Sequence, residues 1–114
     1  MDSKFYVSLE AARLLKEKGY NEECNYVIDD DGDIFEDKYR LNQDLSEWKW
    51  SCPTKAEAID WLESKGMCIV VIRRTIDNEV GWRYVIYNQT EIISGFSTRL
   101  EAEEAAIIKA LELL

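Results

Sequence analysis

The fold is decided by the run Met67-Cys68-Ile69-Val70-Val71-Ile72-Arg73-Arg74-Thr75 in the second half of the chain. The run is too short for a helix, and its consecutive branched aliphatic residues are typical of a central β-strand. Downstream, Trp82-Arg83-Tyr84-Val85-Ile86-Tyr87 predicts a second strand and the segment 90–96 a third. The turns predicted at 77–81 and at Asn88-Gln89 are short, so we expect the three strands to pair in antiparallel order.

Capping patterns predict a helix on either side of these strands. The segment 54–65 begins with a capping box, in which Thr54 is followed three residues later by Glu57. The segment 98–113 begins in the same way, with Thr98 followed by Glu101. Three antiparallel strands with a helix at each end are expected to bury one sheet face beneath those helices.

The first half of the chain predicts a helix followed by a hairpin. Ser8 is a good N-cap for a helix over 8–18, because its hydroxyl can accept hydrogen bonds from the free amides of the first turn. Two β-forming pieces flank Asp29-Asp30-Asp31-Gly32-Asp33, and Asp-Gly between such pieces indicates a reverse turn in a hairpin over 25–37. Residues 39–41 form either a short added strand or a loop.

These elements together predict an α+β fold with an antiparallel sheet and helices packed on one face, in the order α-β-β(-β)-α-β-β-β-α. At 114 residues the chain is expected to form one domain, with 1–50 and 51–114 as its sub-units. The helices that end at Gly19 and Gly66 have similar sequences. This similarity reflects either shared capping rules or an old duplication of an α-β-β unit.

The composition restricts the chemistry. The chain has no His, which excludes imidazole bases and His metal sites. The isolated Cys24, Cys52 and Cys68 predict neither a disulfide framework nor a zinc site, and no phosphate loop or dinucleotide fingerprint is present. We therefore expect a protein that is not an enzyme and holds no metal or cofactor. The net charge of −9 disfavours nucleic acid as a partner and favours cationic partners.

No apolar stretch approaches the 18 residues that a membrane span requires, so no membrane association is predicted. The first residues, Met1-Asp2-Ser3-Lys4-Phe5, are not followed by the apolar segment of a secretory signal. The expected location is therefore the cytoplasm.

The acidic hairpin tip invites a calcium-site hypothesis. An EF-hand loop needs oxygen ligands at its first, third and fifth positions, Gly at the sixth and Glu at the twelfth. If Gly32 is the sixth position, Val27 is the first and Lys38 the twelfth, and neither can serve. The tip is therefore interpreted as a solvated turn.

Five side chains are candidates for partner binding: Trp48, Trp50, Arg73, Arg83 and Tyr87. The two tryptophans alternate at period two, which would place both on one face, as a lid on the core or as an exposed aromatic patch. The other three lie on the predicted strands, with Arg73 or Arg74 expected near Arg83. Arginines beside strand aromatics are one way to hold single-stranded nucleic acid, although they also serve as surface solubilisers.

The last predicted helix is apolar over about half of its circumference. Two interpretations stay open. The helix either lies wedged between the sheet and the N-terminal unit, or forms the seam of a homodimer.

Several stretches of the chain carry a resemblance. They are Ser8–Gly19, Pro53-Thr54 with Ala58 and Trp61-Leu62, Ile69-Val70-Val71, Trp82, and Thr98 with Glu101-Ala102 and Ala105-Ala106. In these stretches the chain resembles a group of small proteins of unknown function encoded by phages and prophages of gut anaerobic bacteria. The resemblance implies an accessory protein of a phage or mobile element, and it carries no chemistry with it.

The leading functional hypothesis is an accessory protein whose partner is another protein or a second copy of itself. One alternative is an acidic nucleic-acid mimic that inhibits a host DNA- or RNA-binding protein, which requires carboxylates clustered on one face. Another is a weak binder of single- or double-stranded nucleic acid, since α-β-β-β-α is also the order of double-stranded-RNA-binding domains. Such domains use lysines at the start of the last helix, where this chain has Arg99 and three glutamates.

Overall fold

The computed structural model describes residues 2–87 and 89–114, so the predicted turn residue Asn88 and Met1 lie outside the described residues. Three α-helices and six β-strands follow one another in an α-β-β-β-α-β-β-β-α order, which confirms the α+β class. Their bounds are α1 (Leu9–Glu17), β1 (Cys24–Asp29), β2 (Ile34–Arg40), β3 (Lys49–Ser51), α2 (Lys55–Ser64), β4 (Ile69–Ile76), β5 (Glu79–Ile86), β6 (Ile92–Phe96) and α3 (Arg99–Leu113). The residues left open at 39–41 mostly belong to β2, and the extra strand is β3.

The strands form two three-stranded antiparallel sheets, which we call the first and the second sheet. The first sheet has the order β2-β1-β3 and the second the order β4-β5-β6. β1, the first strand after α1, is therefore central in the first sheet, whereas β4, the first strand after α2, lies at the edge of the second sheet. This difference in topology argues for shared capping rules, and against a simple duplication, as the origin of the similar helices.

The predicted central strand of the second half is an edge strand. Within residues 2–87 and 89–114, β4 pairs with β5 alone, from Ile69 opposite Ile86 to Ile76 opposite Glu79. The turn between them is shorter than predicted, because Asp77 and Asn78 both adopt positive φ and close a two-residue hairpin. β5 therefore begins at Glu79 and is the strand with neighbours on both sides.

The helix starts agree with their capping patterns. Ser8 Oγ accepts from the Ala11 N–H over 3.2 Å. At α2, Thr54 and Glu57 make both hydrogen bonds of the capping box. At α3, Thr98 Oγ1 accepts from the Glu101 N–H over 3.1 Å. The Glu101 carboxylate accepts from the Ser97 N–H and not from the Thr98 N–H, so only half of the predicted capping box forms. These local bonds satisfy amides that a helix start otherwise leaves unpaired.

One hydrophobic core includes side chains from both halves of the chain. α3 lies at its centre and contacts α1, α2 and all three strands of the second sheet. The buried side chains of α3 are Ala102, Ala106, Ile107, Ala110 and Leu111. Most of the apolar arc of this helix is thus covered within the chain, which favours the wedged interpretation over a homodimer seam, but Leu100 and Ile108 stay half-buried and Leu113 is exposed. None of the helices among the described residues has the length and apolar character to cross a membrane.

Candidate functional site

A groove of about 1020 Å³ runs along α3, the middle of β5 and the end of β6. We call it the α3 groove. Its apolar lining comes from both the sheet and the helix: Trp82, Phe96, Leu100, Ala105 and Ile108. Its polar lining consists of Lys4, Lys55, Thr98, Arg99, Glu101 and Glu104. An apolar concavity with a few charged groups at its wall is the usual form of a binding site.

The register of the second sheet places the aromatic part of the groove. Trp82 is paired with Phe96, next to an irregularity in β6 where Gly95 adopts a φ of +101°. Side chains alternate across a strand, so Tyr84 lies on the same face as Trp82. Tyr84 is buried in the core, whereas Trp82 stays half-buried and does not belong to the core cluster. The indole is therefore left beside the first turns of α3.

The cations of the groove wall already have partners. Lys55 is only 9% exposed as a side chain, and its ammonium group donates to the carbonyl oxygens of Lys4 at 2.6 Å and Tyr6 at 2.7 Å. The Lys4 ammonium lies 3.5 Å from Asp2, and Arg99 Nε lies 3.3 Å from Glu103. Only Lys55 is buried among its acceptors, because the side chains of Lys4 and Arg99 are 61% and 58% exposed.

Each of the two carboxylates of the groove wall has one oxygen that accepts no hydrogen bond from the described residues. Glu101 accepts from the Ser97 N–H through one oxygen, Oε2 at 3.1 Å. Glu104 Oε1 accepts from the Ser8 N–H at 2.7 Å and lies 4.0 Å from the Lys55 ammonium. The second oxygen of Glu104 is buried and has no hydrogen-bond partner among the described residues. This oxygen has essentially no accessible surface, so a ligand in the groove cannot reach it without movement of the Glu104 side chain.

The two candidate tryptophans have different environments, and the expectation that they share one face is wrong. Trp50 lies in β3 opposite Ile28, is 9% exposed and belongs to the core. The Arg13 guanidinium lies 4.8 Å from its ring centroid. Trp48 lies in the turn before β3 and is 61% exposed. The proposal of Trp50 as a partner-binding residue is therefore corrected: its indole fills the core, as the lid interpretation expects.

The candidate arginines do not all share one sheet face. Ile72 is paired with Arg83 and Arg74 with Gly81, so Arg74 and Arg83 lie on the same face. Arg73 is paired with Trp82 and lies on the opposite face, which corrects its grouping with Arg83 and Tyr87. The single-strand binding hypothesis would have to use Arg74 in its place. Tyr87 follows β5 and is 66% exposed.

The face that carries Arg83 points away from α3, and we call it the outer sheet face. Val70, Val85 and Ile92 are paired in one row across its three strands. Val70 and Ile92 are exposed large apolar residues. Nothing in the described structure indicates what would cover this row.

Acidic residues concentrate in the first part of the chain. Residues 1–64 hold 16 acidic and 8 basic side chains, whereas residues 65–98 hold 3 acidic and 4 basic ones. Four of the acids, Glu22, Glu23, Glu57 and Asp60, line one cleft beside the rings of Tyr20 and Trp61. This cleft is a local cluster of carboxylates, whereas the nucleic-acid mimic hypothesis requires carboxylates clustered along one whole face.

The acidic hairpin tip has a structural role. The ligand atoms of Asp29, Asp30 and Asp31 lie within 4.8 Å of one another. Asp29 Oδ1 accepts from the N–H groups of Asp31 and Asp33, both at 3.0 Å. These bonds close the turn between β1 and β2 and account for Asp29 without a metal ion.

The α3 groove was not predicted from the sequence. The helical periodicity predicts Leu100 on the apolar side of the last helix and Ile108 on the opposite side, and it gives no reason to group either residue with Trp82. The signal that was present is the surplus of apolar residues on α3 beyond what one sheet face needs.

No protein-family model matches the chain, and the searches of curated proteins and of solved structures also found no match.

Proposed function

We propose that this chain is a non-enzymatic binding protein that holds a partner protein in the α3 groove, as an accessory protein of a phage or mobile element. The observation that carries the proposal is the position of Trp82. Its indole lines the groove, is half-buried and takes no part in the core. Tryptophan is enriched among the few residues that supply most of the binding energy at protein interfaces.

The lining of the groove supports binding as its use. An apolar centre of Trp82, Phe96 and Leu100 with charged groups at the wall is the usual composition of an interface core and its rim. The buried thiols of the chain support a non-catalytic role. Burial raises the pKa of Cys24 and raises that of Cys52 to about 12, which disfavours the reactive thiolate.

The test is affinity capture from a host lysate with matched variants. Trp82→Ala and Leu100→Gln alter the groove, and Ile92→Gln is the control because it alters an exposed aliphatic residue on the outer sheet face. We expect a protein that the wild type and Ile92→Gln retain and that both groove variants lose, and that binds again when purified. Equal retention by Trp82→Ala and the wild type would contradict the proposal. Circular dichroism confirms that each variant is folded.

The nucleic-acid mimic is a second candidate, favoured by the acidic cleft beside Tyr20 and Trp61. If this cleft replaces a phosphate backbone, its partner is a basic nucleic-acid-binding protein. The variant Glu22→Gln/Glu23→Gln/Glu57→Gln/Asp60→Asn should then lose a captured protein that Trp82→Ala retains. The same capture experiment therefore separates the two functions.

A further inference from the structure

We infer that the free edge of β4 pairs in antiparallel order with the same edge of a second copy of the chain, which joins their two second sheets into one. This interaction surface is separate from α3 and its groove, so the inference goes beyond the proposed function. It follows from the regularity of β4, the direction of its unpaired backbone groups and the order of its side chains.

β4 is the least protected edge strand that the structure describes. The strands at the edges of the two sheets are β2, β3, β4 and β6. Natural edge strands avoid pairing with other chains by being short, charged or irregular. β3 has three residues, β6 is irregular at Gly95, and β2 is rich in charged residues and has a positive φ at Tyr39. β4, in contrast, has eight residues in unbroken register with β5.

The register identifies the backbone groups that β4 leaves unpaired. Along an antiparallel strand, residues that exchange hydrogen bonds with the neighbour alternate with residues whose N–H and C=O point away from it. The Tyr87 N–H donates to the Cys68 carbonyl oxygen over 2.8 Å, so Cys68 is of the bonded kind. The alternation therefore directs the groups of four residues toward the free edge: Ile69, Val71, Arg73 and Thr75. Among the described residues, no backbone hydrogen bond from outside the sheet reaches them.

The free edge is accessible to another strand. The side chains of Ile69 and Val71 lie on the face that packs against the helices, because these residues are paired with Ile86 and Tyr84 of the core. A helix that covered the edge would bury them, but both are only half-buried, and Arg73 is exposed. The helices beneath the sheet thus leave the edge open.

The side-chain order of β4 fits a second copy of the same strand. If a two-fold axis passes through Val71, the outward groups of Ile69 meet those of Arg73 in the other copy, and about six hydrogen bonds form. On the outer sheet face, Val70 of each copy then lies opposite Ile72 of the other. Such directly opposite aliphatic side chains stabilise a sheet.

The charges of β4 are compatible with this register. The net charge of −9 tends to keep copies of the chain apart, but β4 itself has no acidic residue. Its two charged residues, Arg73 and Arg74, lie opposite Ile69 and Cys68 of the other copy when Val71 is on the axis. An axis at Arg73 would place that arginine opposite itself, which is unfavourable.

The contact is small, so the dimer is expected to be weak. Only the residues of one strand take part on each side, whereas a standard interface uses about 20–30 residues a side. We expect a dissociation constant on the order of 100 µM. Sedimentation equilibrium of the full chain between about 10 µM and about 1 mM covers this range.

Two proline variants test the edge. Val71→Pro removes an outward N–H at the centre of the contact and breaks no hydrogen bond to β5, because proline is tolerated where the N–H of an edge strand faces solvent. Ile92→Pro is the control, since Ile92 is the first residue of β6, on the opposite edge of the same sheet. We expect Val71→Pro to weaken dimerisation at least about tenfold and Ile92→Pro to change it less than about twofold. Circular dichroism confirms that each variant is folded.

Amide hydrogen exchange of the wild-type chain locates the contact independently. The outward N–H groups of Ile69, Val71 and Arg73 should exchange about threefold more slowly at about 1 mM than at about 20 µM. The N–H groups of Val70 and Ile72 already bond to β5 and should not depend on concentration in this way. This alternation distinguishes edge pairing from any other mode of association.

The inference is overturned if the chain stays monomeric throughout the concentration range. A dimer that Val71→Pro leaves intact also overturns it, as does exchange at Ile69 and Val71 that is independent of concentration. If Val71→Pro does not fold, the exchange pattern of the wild type decides. None of these measurements involves Trp82, so the proposed function is tested separately by the capture experiment.

Discussion

The carboxylate of Glu104 on α3 accepts a hydrogen bond from the backbone N–H of Ser8 over 2.7 Å. Ser8 is the N-cap of α1, so the last helix holds the start of the first. Lys55 of α2 lies 4.0 Å from the same carboxylate and binds the carbonyls of Lys4 and Tyr6. Three helices and the N-terminal segment are thus joined at one point on the wall of the α3 groove.

Replacing Lys55 with Met should destabilise the protein by about 2–4 kcal/mol. Removal of a buried cation leaves its partners unpaired, and here these are two backbone carbonyls and the Glu104 carboxylate. Urea denaturation followed by circular dichroism measures the free energy of unfolding. Lys38→Met is the control: it removes an exposed ion pair with Glu36 and should change stability by less than about 0.5 kcal/mol. Equal effects of the two substitutions would show that the Lys55 contacts contribute nothing.

The two tryptophans next to β3 should differ sharply in their effect on stability. Trp50→Ala leaves a cavity in the core between α1 and β1 and should cost about 3–5 kcal/mol. Trp48→Ala removes an exposed indole and should cost less than about 0.5 kcal/mol. Thermal or urea unfolding of both variants measures the difference. Comparable losses would mean that Trp48 packs against the core in solution.

Stability should decline in alkali. Burial raises the pKa of the Cys52 thiol from its ordinary value of 9.0 to about 12, and burial also raises the pKa of the Tyr20 hydroxyl. The folded state therefore keeps protons that the unfolded chain releases. The stabilisation is complete below pH 9 and is lost as the pH rises from 9 through about 12.

The measurement is the free energy of unfolding between pH 7 and pH 11. Each such group contributes a slope of at most about 1.4 kcal/mol per pH unit. Cys52→Ala should lower the stability at neutral pH and flatten the alkaline decline. An unchanged slope in this variant would show that the thiol of Cys52 does not titrate abnormally.

Local features of the fold were predictable from the sequence. Ser8, Thr54 and Thr98 identified the helix starts, because an N-cap depends only on residues within one turn. The alternation along β5 correctly placed Trp82 and Arg83 on opposite faces, since strand periodicity is also local. The α+β class followed from the order of these elements.

The predictions that were wrong concern features that depend on contacts between residues far apart in the sequence. Trp48 and Trp50 have the spacing of a shared face, but the short strand β3 begins only after Trp48. Arg73 and Arg74 are adjacent, and only the pairing register with β5 shows which one lies beside Arg83. The α3 groove combines residues from β5, β6, α2, α3 and the N-terminal segment, so no single stretch of sequence reveals it.

α3 follows in the chain every element that it packs against: α1, α2 and the three strands of the second sheet. During synthesis on the ribosome these elements emerge first, with the surfaces that α3 will cover still exposed to solvent. The core can therefore close only after the residues from 99 to 111 have left the exit tunnel. Until then, the nascent chain presents the apolar faces of both halves to chaperones and to other copies of itself.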